Sequence, residues 1–171
     1  MSRSLLKDMT DRLKTLRPHY RRFGSNLVAE QLGSGELAVV MHWSGILSTA
    51  RKKFKALNPD VKIEIMLPKE GTTMWIDCIA IPKDAPHPEN AHKFINFLLR
   101  PENAAQITNA VYTATTIKSA FAFLKPEIKG NKSVFPDDAY MKKVVLPEIT
   151  SLQHQRFMSR YFASVMTYKP K

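Results

Sequence analysis

An aromatic residue and a carboxylate stand two positions apart in the apolar stretch 74–81, as Trp75 and Asp77. Side chains two apart on a β-strand share a face, so the two would converge if this stretch is a strand. Such a pair suits an organic ammonium ligand, because the carboxylate takes the charge and the indole covers the methylenes. Trp43, at the end of an earlier apolar run, would supply a second aromatic plate. The alternative is structural, since a tryptophan on a strand is usually part of the core, and spacing alone favours it.

Other residues give weaker indications of chemistry. The sequence around Ser44 lacks the first glycine of the nucleophile elbow G-x-S-x-G, so Ser44 is interpreted as a turn residue. Cys78 would face away from Asp77, and a thiol in the core is expected. His87 and His92 are five apart, which does not fit zinc spacing. We therefore expect no catalytic residue, no metal site and no cofactor, and the chain is not predicted to be an enzyme.

Composition limits the class of protein. The 171 residues amount to one domain, and 44% of them are apolar, enough for a normal core. No apolar stretch approaches the roughly 20 residues that cross a bilayer, and the first residues lack the pattern of a secretory signal. Lys and Arg number 26 against 15 Asp and Glu, a net charge of +11. A basic module for nucleic acid or anionic surfaces is therefore one alternative, although no aromatic stacking ladder accompanies the basic residues, and nucleic acid is not the expected partner.

Hydrophobic periodicity predicts alternating strands and helices. This alternation indicates an α/β fold with mostly parallel strands, followed from about Ala114 by packing helices without a further strand. Ser25 is interpreted as a helix cap. The first predicted helix lies within residues 1–22 and is ended by Pro18, and further helices are predicted at 26–32, 47–57, 88–100 and over a short stretch from Pro101. The predicted strands cover 37–41, 61–67 and 74–81.

Several blocks of sequence together resemble a known family. They lie between Leu16 and the C-terminus, and the blocks around Trp43 and from Pro68 to Pro101 are the most specific. The family is that of the polyamine-binding proteins of bacterial ABC importers, with putrescine and spermidine receptors the most similar. The matching blocks are Arg21-Arg22-Phe23 with Ser25, then residues 35–40, 43–45, 81–86, 94–101 and 135–136.

The resemblance implies a non-catalytic receptor with a partial type II periplasmic binding protein fold. The chain resembles only the C-terminal half of such receptors. Its implied division is a second-lobe part at about 1–70, a first-lobe part at 71–128 and C-terminal helices at 129–171. The implied partners are a polyamine ligand, a membrane permease and the missing N-terminal half as a separate chain, and the implied location is the periplasm. The implied ligand-binding residues are Trp43, Trp75, Asp77 and Ser25.

Three departures from the family pattern bear on function. Ile46 stands where the putrescine-type pattern has an aspartate, so one carboxylate for an ammonium group is absent. Thr113 stands at a position where the family often has a pocket tyrosine, and Tyr112 beside it is a substitute only after a one-residue shift. The chain also has about half the length of such receptors, so an inactive truncated remnant is a further alternative.

Overall fold

Helices dominate the computed structural model, which describes residues 3–24, 27–60, 62–148 and 150–169. Eight α-helices and two short strands lie in these ranges, together with 3-10 turns at Arg17–His19 and Lys118–Phe123. In chain order the elements are α1 (Arg3–Leu16), α2 (Val28–Gly33), α3 (Ser44–Leu57), β1 (Thr72–Thr73), α4 (Pro88–Leu98), α5 (Pro101–Val111), α6 (Pro126–Lys129), α7 (Asp138–Met141), β2 (Val144–Val145) and α8 (Leu152–Met166).

The chain forms two compact units. The first comprises Met1–Asn26 with Glu148–Lys171, and the second comprises Leu27–Pro147. In the first unit α1 packs against α8, with the Arg3 guanidinium 4.4 Å from the centre of the Phe157 ring. The rings of Phe23 and Phe162 meet edge to face, with centroids 5.5 Å apart. The lobe boundaries implied by the family resemblance, at about residues 70 and 128, differ from the boundaries of these two units, and the division into lobes stays a prediction.

The second unit has its core where α5 meets the turn Lys118–Phe123 and α6. Asn109 on α5 ties these elements together, because its side chain accepts from the backbone N–H of Lys125 at 3.0 Å and donates to the Phe123 carbonyl at 3.3 Å. Alanines on α5 let the following chain pack closely against the helix. The buried cluster consists of Ala104, Ala105, Tyr112, Ala120, Leu124, Ile128 and Val134.

A small parallel sheet joins distant parts of the second unit. β1 pairs with β2, with Thr72 opposite Val144 and Thr73 opposite Val145. Gly71 precedes β1 with a φ of +109°, a backbone conformation that glycine adopts without steric cost. A Cβ at Gly71 would also overlap the Lys143 carbonyl. Glycine is therefore required where the chain enters this sheet.

The strands predicted at 37–41, 61–67 and 74–81 are corrected by the structure, in which the described residues of these stretches form no strand. Val61 lies outside the described residues. A strand needs a neighbouring strand to bond its backbone N–H and C=O groups, and in the described part of the chain these stretches have such a neighbour only at Met74, whose N–H donates to Val145 of β2. The prediction of no strand after Ala114 is also wrong, since β2 lies there. Cys78 is exposed and not in the core, because its segment is not packed as a strand.

The helix predictions are confirmed where the structure describes them. α1 ends at Leu16, and Pro18 lies in the 3-10 turn that follows it. α3, α4 and α5 occupy the predicted stretches, with prolines at the start of α4 and α5, where a missing backbone N–H costs nothing. Within the described ranges, no helix is both long enough and apolar enough to span a membrane.

Candidate functional site

The two tryptophans, 32 positions apart in sequence, meet in space. The ring centroids of Trp43 and Trp75 are 6.1 Å apart and the ring planes stand at 82°, an edge-to-face arrangement. Trp43 and Trp75 are each more than half exposed. The pair therefore forms a corner with two accessible aromatic faces. Both residues belong to the second unit.

Trp43 is held at the start of α3. It is the N-cap residue of that helix, and its carbonyl accepts from the Leu47 N–H at 3.1 Å. Its own backbone N–H donates to Nδ1 of His42 at 2.8 Å. Because Nδ1 accepts, a neutral His42 carries its proton on Nε2, which is buried and has no partner among the described residues. His42 thus fixes the backbone that carries the first indole, a role that the sequence did not indicate.

Gly45 brings a third stretch of chain beside the tryptophan corner. A Cβ at Gly45 would lie 2.7 Å from the Val111 carbonyl oxygen and 2.8 Å from Oγ1 of Thr113. The first turn of α3 therefore lies directly against the C-terminal end of α5. Thr113, which the sequence identified only as a departure from the family pattern, is exposed here and next to the motif.

Tyr112 does not substitute for a pocket tyrosine at this position. Its backbone is left-handed, with a φ of +58°, and its side chain is buried in the core cluster of the second unit. Lys52 Nζ lies 5.7 Å from the centre of the Tyr112 ring. The ring thus stabilises the packing of α3 and α5, and Thr113 is the residue that stays accessible.

Asp77 is exposed and lies two residues beyond Trp75. The carboxylates of Glu30, Glu64 and Asp137 form ion pairs with lysines, whereas no ion pair or hydrogen bond engages Asp77 among the described residues. Its segment is not a strand, so the period-two argument for a shared face with Trp75 does not apply. The carboxylate remains available to a cationic ligand.

The remaining predicted positions are placed as follows. Ile46 lies in the first turn of α3 and is exposed, so the departure from the aspartate pattern puts an apolar side chain at the surface near Trp43. Ser25 lies outside the described residues. Across the described ranges, no three His, Cys, Asp or Glu side chains cluster as metal ligands would.

The arrangement favours binding over catalysis. Two exposed indole faces can cover methylenes and attract a cation, and a free carboxylate can accept hydrogen bonds from an ammonium group. A sandwich is excluded in this geometry, because an alkyl chain between two parallel rings needs roughly 3.5–4.0 Å to each ring. The centroids are only 6.1 Å apart, so a ligand would lie in the open corner.

Comparison with known proteins identifies the family. The model of a family described as bacterial extracellular solute-binding proteins matches residues 3–136. Among similar proteins, the putrescine-binding periplasmic protein PotF of Escherichia coli is 29% identical over 160 residues, which cover 94% of this chain and 43% of the relative. The putrescine-binding periplasmic protein SpuD of Pseudomonas aeruginosa is 29% identical over 165 residues, covering 96% of this chain and 45% of SpuD.

A third relative is more similar over a shorter stretch. The spermidine/putrescine-binding periplasmic protein of Salmonella typhimurium is 35% identical over 133 residues, covering 78% of this chain and 36% of that protein. The chain thus spans less than half the length of each of these relatives. The family match covers more than three quarters of the 171 residues and includes both tryptophans and Asp77. The chain belongs to the bacterial extracellular solute-binding protein family.

Proposed function

We propose that this chain contributes to the capture of a polyamine of the putrescine or spermidine type, without chemical change, for an ABC importer. The observation that carries the proposal is the meeting of Trp43 and Trp75, whose ring centroids are 6.1 Å apart. Asp77, which forms no ion pair among the described residues, follows Trp75 by two positions in the sequence. Three relatives with putrescine in their names support the choice of ligand class. The ligand-binding residues are Trp43, Trp75 and Asp77, together with Ser25 from the family pattern.

Each group has its own role in the proposed site. The carboxylate of Asp77 accepts hydrogen bonds from one ammonium group, and an ion-paired hydrogen bond contributes about 1.5–3 kcal/mol. The methylenes lie along the exposed faces of the two indoles. A second ammonium within about 6 Å of an indole centre is attracted by the π face. The family's second carboxylate is replaced by Ile46, so the aromatic corner has to hold that end of the ligand.

The overall charge of the protein works against a cationic ligand. At +11, the chain repels a dication or trication at long range, so affinity depends on the local field of Asp77. Lysines neutralise several other carboxylates of the second unit, as in the pairs Lys53–Glu30, at 3.5 Å, and Lys62–Glu64, at 3.0 Å. Among the described residues no lysine pairs with Asp77, the exposed carboxylate two positions after Trp75 in the sequence.

The wider role follows from the family. We propose a periplasmic location, delivery of the ligand to a membrane permease, and assembly into the two-lobed type II fold. In that fold residues 1–70 and 129–171 belong to the second lobe and 71–128 to the first. The relatives extend well beyond the matched region, so a complementary half is a further proposed partner.

Isothermal titration calorimetry of the 171-residue chain with putrescine and then spermidine tests the proposal. We expect saturable binding at one site that weakens roughly ten- to hundredfold in Asp77→Asn, the loss that corresponds to one ion-paired hydrogen bond. Trp75→Leu should also weaken binding. The matched control is Asp84→Asn, which removes another exposed carboxylate, further along the chain than Asp77.

Two outcomes would overturn the proposal. One is the absence of heat from either polyamine with a chain whose circular dichroism shows that it is folded. The other is equal weakening by Asp77→Asn and Asp84→Asn, which would mean that the cations respond to total charge and not to a site. The monoamine n-butylamine tests the role of the second ammonium, and it should bind more weakly than putrescine.

A further inference from the structure

Most of the net positive charge of the chain belongs to the first unit. Met1–Asn26 with Glu148–Lys171 carries 11 Lys and Arg against 3 Asp and Glu, a net charge of +8. The second unit is more than twice as long, and it carries 15 Lys and Arg against 12 Asp and Glu, a net charge of +3. The charge is thus uneven, and the smaller unit produces the stronger positive field.

The acidic side chains of α1 are engaged within that helix. Asp8 pairs with Arg12 at 3.1 Å, and Asp11 pairs with Lys7 at 2.9 Å. On α8, Arg156 and Arg160 are both exposed, and neither forms an ion pair among the described residues. A guanidinium group can bind two phosphate oxygens through parallel hydrogen bonds. These two arginines are therefore available to an anionic group outside the chain.

Both helices of the first unit also expose a row of apolar side chains. Spacings of four and seven residues keep each row on one side of its helix. The helices hold each other through other positions, since the buried residues are Leu6 and Thr10 on α1 and Val165 on α8. The two apolar rows consist of Leu5, Met9 and Leu16 on α1 and of Met158, Phe162 and Met166 on α8, each between 43% and 48% exposed.

A basic helix with an exposed apolar row is typical of proteins that lie on a bilayer surface. Such a helix places its apolar side chains at the boundary of the acyl chains and its Lys and Arg side chains among the headgroups. Each basic residue near the surface is attracted by anionic lipid, and the long arginine side chain reaches the phosphates while its methylenes cover apolar surface. An anionic bilayer therefore complements both the charge and the apolar rows of this unit.

Other occupants of this surface fit less well. Nucleic acid would match the charge, but it would not bury Met9 or Met158, and its bases stack on aromatic rings. A protein partner would bury the rows, but charged residues are depleted at the core of protein interfaces, and this unit has a net charge of +8. A second copy of the chain would bring the same charge and repel the first.

We propose that the first unit binds the surface of a bilayer that contains anionic phospholipid, through the two apolar rows and the arginines of α8. The inference goes beyond the proposed function, because none of these residues belongs to the ligand site. Binding of this kind would keep the chain at the membrane in which the proposed permease lies.

Co-sedimentation of the 171-residue chain with lipid vesicles tests the proposal. One set of vesicles is phosphatidylcholine alone, and the other contains one third phosphatidylglycerol. Circular dichroism first establishes that the chain is folded. We expect binding to the anionic vesicles only, with an affinity that falls roughly tenfold or more between about 0.1 M and about 1 M salt, where the Debye length shrinks from about 10 Å to about 3 Å.

Two double variants separate a charged site from total charge. Arg156→Gln with Arg160→Gln should weaken vesicle binding by about fivefold for each arginine removed. The matched control is Lys83→Gln with Lys118→Gln, which removes two exposed positive charges from the second unit and should leave binding unchanged. Equal weakening by the two double variants would overturn the proposal, because the vesicles would then respond only to net charge.

A second comparison tests the apolar rows. Met9→Ser with Met158→Ser should weaken vesicle binding roughly tenfold, because less apolar surface enters the bilayer. Met66→Ser alters a methionine of the second unit that is 83% exposed, and it should leave binding unchanged. Full binding by the Met9 and Met158 double variant would contradict the role of the rows.

Four other results would overturn the proposal. They are no binding to either set of vesicles, equal binding to both sets, tighter binding to a DNA duplex than to anionic vesicles at the same salt, and a homodimer in light scattering that no longer binds vesicles. The third would indicate nucleic acid as the partner and the fourth a second copy of the chain. The vesicle assay contains no polyamine, so its result is independent of the proposed function.

Discussion

The close contact at Gly45 provides the sharpest test of how the site is built. The substitution Gly45→Ala adds one methyl group in the first turn of α3. Its Cβ would lie 2.7 Å from the Val111 carbonyl oxygen and 2.8 Å from Oγ1 of Thr113. The threonine side chain can rotate away, but the carbonyl belongs to the last residue of α5 and can move only with the backbone.

The magnitude follows from two opposing terms. Alanine is favoured over glycine in a helix by up to about 1 kcal/mol. Forcing an extra carbon into a packed contact typically costs about 1–3 kcal/mol. Because one of the two obstructing atoms is main chain, we expect the steric cost to exceed the gain in helix propensity, with a net loss of about 1–2 kcal/mol in the free energy of unfolding. For a chain of this length the melting temperature should fall by about 2–8 °C.

Urea unfolding followed by circular dichroism measures the loss, with Gly130→Ala as the matched control. A Cβ at Gly130 would meet only the Pro126 carbonyl at 3.6 Å, an ordinary contact, so this variant should be unchanged or more stable by up to about 1 kcal/mol. Gly45→Ala should also shift tryptophan emission, because α3 begins next to Trp43. A Gly45→Ala chain as stable as the parent would refute the packing of α3 on α5.

Three further results are expected. Ile46→Asp should tighten putrescine binding by roughly two- to fivefold in calorimetry, the effect of one surface ion pair, while Ile46→Asn should not. The Asp137 carboxylate accepts hydrogen bonds from the Tyr140 backbone N–H, which has the larger effect, and from Lys132, and these lower the pKa of the carboxyl below its ordinary value of 3.8. The stability that this shift contributes is present above pH 3.8 and is lost as the pH falls through the lowered pKa. Acid unfolding of Asp137→Asn should lack this loss. Ile128 is fully buried, so Ile128→Ala should lower the free energy of unfolding in urea by about 2–5 kcal/mol and Ile128→Val by about 0.5–1.5 kcal/mol. Equal losses in the two variants would contradict the packing.

The helices could be predicted from sequence because their determinants are local. Proline at the start of α4 and of α5, and apolar residues at intervals of three and four, fix these helices without reference to the rest of the chain. The family resemblance likewise indicated that Trp43 and Trp75 share a site, and the structure brings the two rings together.

The strands could not be predicted, because a strand is decided by its neighbour. The alternation in 61–67 and the apolar run in 37–41 are genuine strand patterns, yet no partner strand lies beside them in the described part of the chain. The same dependence explains the exposed Cys78, whose expected burial assumed a sheet. The contact between Gly45 and Thr113 was also beyond prediction, since it depends on how α3 meets α5.

The edge-to-face tryptophans have an optical consequence. Two identical chromophores this close share their excitation, so the strong ultraviolet transitions of Trp43 and Trp75 should couple and give a paired positive and negative band in circular dichroism. The sign and amplitude of such a couplet depend on the separation and relative orientation of the two transition dipoles, which lie in ring planes that stand at 82° to each other. Any event that reorients one indole would change the couplet, and replacing either tryptophan by phenylalanine would remove it. The protein thus contains its own unlabelled reporter of ring geometry.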